Sequence, residues 1–244
     1  MKISLRKSRK VFANLTWSKV TAPLRRAKKK ILQFEVNALI HRLRKTKRIK
    51  IINLRNGNAV NAAVAVLRSG GVVILPTESS YGIAVDATNA KAVANVYRLK
   101  KRSDAKFMPV IVASVAMAKR FFDLNKTALA LCKHYPAPLT IVVKQKPRKL
   151  ATNISANGTI AFRVPKHKFC REVSQKLGRP ITSTSANISG KAAVFSIVEV
   201  KRLFGGKVEL IIDGGNLKTT KPSTIISCVS EKTIVLRKGA FQFS

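Results

Sequence analysis

Three short stretches of this sequence are dense in groups that hold anions and polar ligands. The first is Pro76-Thr77-Glu78-Ser79-Ser80-Tyr81-Gly82, which follows an apolar run where the chain must turn. Its hydroxyls can each donate and accept hydrogen bonds, although a proline-led turn with a buried tyrosine accounts for the segment alone equally well. The second is Lys100-Lys101-Arg102 with Lys106, four cations within seven positions. Such cations repel one another unless an anion sits between them, and Arg forks and Lys point charges suit phosphate oxygens. A helix C-terminus also favours cations, so on charge density alone a phosphate site and a solvated face both remain open. The third is Ser183-Thr184-Ser185-Ala186-Asn187-Ile188-Ser189-Gly190. Small side chains there let the backbone approach a ligand, and successive N–H groups can cradle an anion.

Two further pairs are weaker signals. Thr159 and Arg163 lie four apart, on one face of an expected strand, and Pro222-Ser223-Thr224 accompanies Arg237. A cation inside a sheet pattern is costly to bury unless paired. With 10 acidic residues in the whole chain, a bound carboxylate or phosphate is the expected partner of these arginines.

Other chemistries find no support. Neither a Walker A string nor G-x-G-x-x-G occurs, and no G-x-S-x-G elbow is present. Cys132, Cys170 and Cys228 show no C-x₂-C spacing, and His41, His134 and His167 do not group with them. The cysteines read as buried thiols in a reducing compartment, and the sequence encodes no protein-built metal site.

The elements that must carry these residues alternate in an α/β pattern from about Ile51 onward. Helical spacing predicts helices over 59–68, 91–100, 115–122, 126–132, 169–177 and 197–204. Apolar, β-branched runs predict strands over 72–75, 110–113, 140–143, 159–164, 181–183, 208–213, 224–228 and 233–236. The anion-binding stretches therefore fall at strand ends, where α/β proteins place ligands.

Charge sets the chain apart: 48 Lys+Arg against 10 Asp+Glu give +38. Such a surface favours polyanions, with salt-sensitive binding to nucleic acid. Residues 1–50 form a composition segment of their own, with 17 Lys+Arg and the single acid Glu35. We expect a basic extension there, a flexible arm followed by a short amphipathic helix from Ile31 to Leu43, and residues 51–244 as the folded domain. A cytoplasmic protein is the expectation, with an organelle transit peptide as the alternative reading of the extension. No apolar run reaches the length of a membrane span.

Taken in order, Leu75-Pro-Thr-Glu-Ser-Ser-Tyr-Gly82, Lys100-Lys-Arg-Ser-Asp-Ala-Lys106, Pro136-Ala-Pro-Leu-Thr140, Ile160-Ala-Phe-Arg-Val-Pro165, Thr184-Ser-Ala-Asn-Ile-Ser-Gly190, Pro222-Ser-Thr224 and Leu236-Arg-Lys-Gly239 resemble the YrdC/YciO family of threonylcarbamoyl-AMP synthases. The resemblance covers about 52–239 and corresponds to a short form without the extra C-terminal domain of longer members. It implies a YrdC-like twisted mixed β-sheet flanked by helices, with a central basic cavity. It implies a nucleotidyltransferase that joins L-threonine, bicarbonate or CO2, and ATP into threonylcarbamoyl-AMP and pyrophosphate. Mg²⁺ would be carried by the nucleotide, and tRNA threonylcarbamoyl transferase proteins would pass the group to tRNA. By the same resemblance, Lys100, Arg102 and Lys106 are the catalytic cations. Thr77, Arg163, Ser183 and Ser223 hold threonine, with Tyr81 shaping the pocket floor. ATP is contacted by Lys100, Arg102, Lys106, Thr159, Ser185, Asn187 and Arg237. A non-catalytic, YciO-like protein of the same fold that binds double-stranded RNA or tRNA is the alternative. The chain departs from the family pattern at Arg102-Ser103, at Tyr135-Pro-Ala-Pro138 and at Ala193-Val-Phe195, where a hydroxyl that usually faces the nucleotide is lost.

Overall fold

The apolar run Val72-Val73-Ile74-Leu75 shows why the molecule is layered. Side chains along a strand alternate faces, yet all four are buried, Val72 and Ile74 in one core and Val73 and Leu75 in another. A strand buried on both sides must lie inside a covered sheet. In the computed structural model, which describes residues 49–101, 108–147, 149–155, 157–230 and 232–242, this strand is β2 (Val73–Pro76). It lies in the middle of a five-stranded sheet ordered β1 (Lys50–Asn53), β10 (Leu210–Asp213), β2, β3 (Tyr81–Ala84), β9 (Thr184–Ser185). The β1–β10–β2 junctions are parallel and the β2–β3–β9 junctions antiparallel.

One face of this sheet is covered by α1 (Ala59–Arg68) and α5 (Lys168–Leu177). Ala59, Ala63, Val64 and Leu67 recur at helical spacing and are buried together with Phe169, Cys170, Val173 and Leu177 of α5. α5 ends at Gly178, whose φ of 77° gives the left-handed cap that releases the chain.

The other face shares its core with a seven-stranded sheet. Its order is β12 (Ile234–Arg237), β11 (Thr224–Ser227), β6 (Leu139–Gln145), β7 (Thr159–Arg163), β4 (Val110–Ile111), β8 (Ile181–Thr182), with β5 (Phe122–Asp123) paired to β6. Helices α2 (Ala90–Lys100), α3 (Val115–Phe121) and α4 (Lys126–Cys132) start on Asn89, Ser114 and Asn125, each accepting a backbone N–H of its first turn. The last helix is α6 (Ile197–Phe204).

All six helices predicted from 59 onward are present, displaced by at most one residue at an end. The predicted strands are present too, with two changes. The strand over 110–113 is confined to Val110–Ile111, and the one over 181–183 continues past Ser183 into a different sheet as β9. Strands β1, β3, β5 and β9 carry no prediction. Of the extension expected over 1–50, residues 1–48 lie outside the described residues, and the first strand begins at Lys50, one residue before the expected boundary.

Candidate functional site

Between the two sheets lies a cavity of about 620 Å³. On the seven-stranded sheet its wall consists of Thr140, Ala161, Arg163, Ile225 and Arg237, and register explains the choice. Paired residues on neighbouring strands share a face, and Thr140 pairs with Ile225. Arg163 and Ala161, two apart on β7, follow by alternation. Arg237 reaches this face through an irregularity: Ile226 pairs with Val235 but Ile225 pairs with Arg237, so Leu236 is an extra residue on β12. Without that bulge Arg237 would share the face of Ile226, which is core.

The opposite wall comes from the five-stranded sheet: the turn Thr77–Ser80 between β2 and β3, Gly82, and the crossing stretch Ser183–Ser185. Ser183 joins β8 in one sheet to β9 in the other. Thr77 sets the turn, its hydroxyl donating to the Ser80 carbonyl at 2.8 Å and accepting the N–H groups of Ser79 and Ser80.

Arg163 is buried at 7% exposure and held from two sides. Nη1 donates to Glu78 Oε1 at 2.9 Å and Nη2 to Ser183 Oγ at 2.9 Å. The expectation that strand arginines lack a protein carboxylate is therefore corrected for Arg163: the β2–β3 turn delivers Glu78 to it. The other oxygen, Glu78 Oε2, is buried without a hydrogen-bond partner, a costly arrangement that a ligand donor would relieve. Arg237 meets no carboxylate among the described residues. It donates to the Ser223 carbonyl at 2.7 and 3.0 Å and to Ser223 Oγ at 3.2 Å, while Ser223 Oγ also meets Thr140 Oγ1 at 2.8 Å. Burial, and after it the charge of Arg163, push the Arg237 pKa below its ordinary value, yet a guanidinium stays charged. Of the two cations, Arg163 is paired with Glu78 while Arg237 meets no acidic side chain among the described residues, so an anion in the cavity is the natural complement of Arg237.

Lys100, 3% exposed, sits at the end of α2 with its ammonium turned into the protein. Nζ donates to the Ser185 carbonyl, to the Asn187 carbonyl at 2.9 Å and to Asn187 Oδ1 at 2.8 Å, and Ser185 Oγ donates to the same Oδ1 at 2.7 Å. Asn187 Nδ2 in turn donates to the Lys191 carbonyl. This network braces the hydroxyl-rich stretch and leaves Ser185 at the cavity wall. Arg102 and Lys106 lie outside the described residues.

The cavity therefore brings together Thr77, Arg163, Ser183, Ser185, Ser223 and Arg237, with Lys100 and Asn187 behind them. It does not bring Thr159, which is at the opposite end of β7 from Arg163. Tyr81 is fully buried and outside the lining; its hydroxyl donates to the Gly215 carbonyl at 2.7 Å and accepts the Gly214 N–H at 3.0 Å. Burial raises its pKa to about 12, so it remains a donor. Burial also raises the thiols of Cys132 and Cys170, to about 11 and about 12, which leaves them unreactive. Sequence reasoning missed Glu78 and Thr140 as site residues, although both stand in quoted motifs. An acid beside hydroxyls and a threonine ending a proline-rich turn carry no signal until pairing places them. Ala193 and Phe195, where the family pattern has a hydroxyl, do line the cavity.

The family profile Sua5_yciO_yrdC, described as "Telomere recombination", matches residues 65–239. A Methanocaldococcus jannaschii protein provisionally named threonylcarbamoyl-AMP synthase is 34% identical over 201 residues, 82% of this chain and 91% of its own length. The Mus musculus threonylcarbamoyl-AMP synthase is 36% identical over 157 residues, 64% of this chain. The chain spans 56% of that longer relative. Among solved structures, Pyrococcus abyssi Sua5 complexed with L-threonine aligns at a TM-score of 0.73 and 30% identity, covering 78% of this chain and 57% of that one.

Proposed function

Because the chain belongs to the Sua5–YciO–YrdC family, we propose that it is a threonylcarbamoyl-AMP synthase, a nucleotidyltransferase acting on ATP, L-threonine and bicarbonate or CO2. One observation carries the reading: Arg163, braced by Glu78, and Arg237 face a single cavity rich in hydroxyls. That lining suits two anionic ligands held side by side, an amino-acid carboxylate and a nucleotide phosphate.

The reaction needs no protein nucleophile. Threonine's amine adds to CO2, forming an N–C bond and releasing a proton. A carbamate oxygen then attacks the α-phosphorus, and the bond from that phosphorus to the bridging oxygen breaks as pyrophosphate leaves. The protein supplies alignment and charge. Arg163, oriented by Glu78 and Ser183, takes the threonine carboxylate, with Thr77 at the facing turn. Arg237 and Ser185 take oxygens of the nucleotide, and Ser223 helps to hold threonine. Lys100 acts through the stretch it braces, and Arg102 and Lys106 complete the set as phosphate ligands. Among the described residues no group of three His, Cys, Asp or Glu could hold a metal. A lining of hydroxyls and guanidinium groups fits a triphosphate that brings its own Mg²⁺, whose charge would offset that building on the leaving phosphates. The product would pass to partner transferase proteins and tRNA.

The test is release of pyrophosphate from ATP in the presence of bicarbonate, with and without threonine. Threonine-dependent release is expected, with Arg163→Ala reducing it on the order of 100-fold and Lys106→Ala abolishing it. Release indifferent to threonine would remove the function, and release that survives both substitutions would remove the site.

A further inference from the structure

Phe195 is the one aromatic residue among the described residues that line the cavity. It packs against neither hydrophobic core and stays partly exposed. Its neighbours show which way it faces. Val194, 1% exposed, is turned into the core, whereas Ala193 and Phe195 on either side line the cavity, the alternation of an extended run. Two backbone bonds hold the run in place: the Tyr81 N–H donates to the Val194 carbonyl and the Leu217 N–H to the Phe195 carbonyl, each at 2.9 Å. A lone apolar side chain on an outer surface needs no explanation. An aromatic ring fixed on the wall of a hydroxyl-rich hollow forgoes the burial that either core would give it, and a ligand with an apolar face would restore that burial.

Chemistry and place select the ligand. The face of an aromatic ring carries negative potential, so it does not attract bicarbonate or the triphosphate. The threonine carboxylate is placed at Arg163, which Glu78 and Ser183 hold. The run that carries Phe195 lies beside the Ser185 end instead. Tyr81, whose N–H reaches Val194, accepts the Ala186 N–H on its own carbonyl at 2.8 Å. The N–H and C=O of one strand residue point to the same side, so Val194 and Ala186 are neighbours, and Phe195 stands next to the stretch whose Ser185 we place at the nucleotide. A purine is flat, apolar on both faces, and stacks on aromatic side chains.

We infer that Phe195 is the platform on which the adenine base of ATP stacks, a specificity-determining residue of the site. The inference rests on the proposed synthase reaction and deepens it: the guanidinium and hydroxyl groups hold the charged end of the nucleotide, and Phe195 holds the base.

The probes are ATP and inorganic tripolyphosphate, each titrated with Mg²⁺ by calorimetry into the full chain at physiological salt. Tripolyphosphate offers the charge without the base. Removing one base–aromatic stack weakens binding by about 10- to 100-fold. Phe195→Ala should therefore bind ATP that much more weakly and tripolyphosphate as well as the unaltered chain does. Phe195→Trp should retain the affinity for ATP, and its added indole emission should be quenched by ATP but not by tripolyphosphate. The unaltered chain, whose one tryptophan is Trp17, is the control for that signal. Equal affinity for ATP in the Phe195→Ala and unaltered proteins overturns the inference. So does an equal loss for both probes, which would make Phe195 a support of the wall. A raised KM for threonine with ATP affinity unchanged overturns it too, and would put the ring against the amino acid. Threonine-dependent pyrophosphate release judges the synthase reading separately: release in a protein whose ATP affinity ignores Phe195→Ala removes the inference alone, and a stack without release removes the reading alone.

Discussion

Replacing Arg163 by alanine removes two side-chain hydrogen bonds and leaves Glu78 with neither carboxylate oxygen partnered. A hydrogen bond to a charged group contributes roughly 1.5–3 kcal/mol, so kcat/KM for threonine should fall on the order of 100-fold. Glu78→Gln keeps an acceptor for Arg163 and discards the charge. It should raise the KM for threonine about tenfold while leaving kcat within a few-fold, the pattern of lost ground-state binding; an unchanged KM would show that Glu78 does not orient Arg163. His167 makes a prediction about stability. Desolvation lowers its pKa below 6.5, with the charges of Arg163 and Arg171 in the same direction and Glu78 opposing. The unfolded chain therefore takes up the proton first as pH falls. Its contribution is present above about pH 6.5, the ordinary histidine value, and is lost as pH falls from there through the lower folded value. The fall of Tm below pH 6.5 should flatten in His167→Gln.

Gly239 belongs to the scale of elements, because its backbone lies against the Pro222 carbonyl and the Ser223 backbone, where a Cβ would collide. Gly239→Ala should cost about 1–3 kcal/mol in urea unfolding, the range for overpacking, and should loosen Arg237 from Ser223, so that KM for ATP rises with it. The same region shows what the sequence could and could not say. Helices were legible to within a residue because Ala59, Ala63, Val64 and Leu67 repeat at one period and caps such as Asn89 mark the starts. β3 was not, since Tyr-Gly-Ile-Ala has one β-branched residue and its burial comes from tertiary layering. The cavity's cations and hydroxyls were legible as types. Their partners were not: the Glu78–Arg163 pair joins residues 85 apart in the chain, and the bulge at Leu236 that aims Arg237 leaves no compositional trace.

At the scale of the whole molecule, a net charge of +38 favours polyanions, and the first 50 residues hold 17 of the 48 cations. We propose that this extension serves RNA binding. Deleting residues 1–48 should reduce the slope of log affinity for tRNA against log salt, by about 0.9 for each duplex phosphate no longer neutralised, and leave threonine-dependent pyrophosphate release intact; a deletion that stopped release would tie the extension to the chemistry. No described helix is long and apolar enough to cross a membrane. The two sheets that enclose the cavity are joined most directly at Ile181–Ser185, where one strand hands over to the next with only Ser183 between. That span has no slack. An insertion or deletion of a single codon there would reverse which side Thr182 or Ser185 presents, so this stretch is constrained in its length as well as in its hydroxyls.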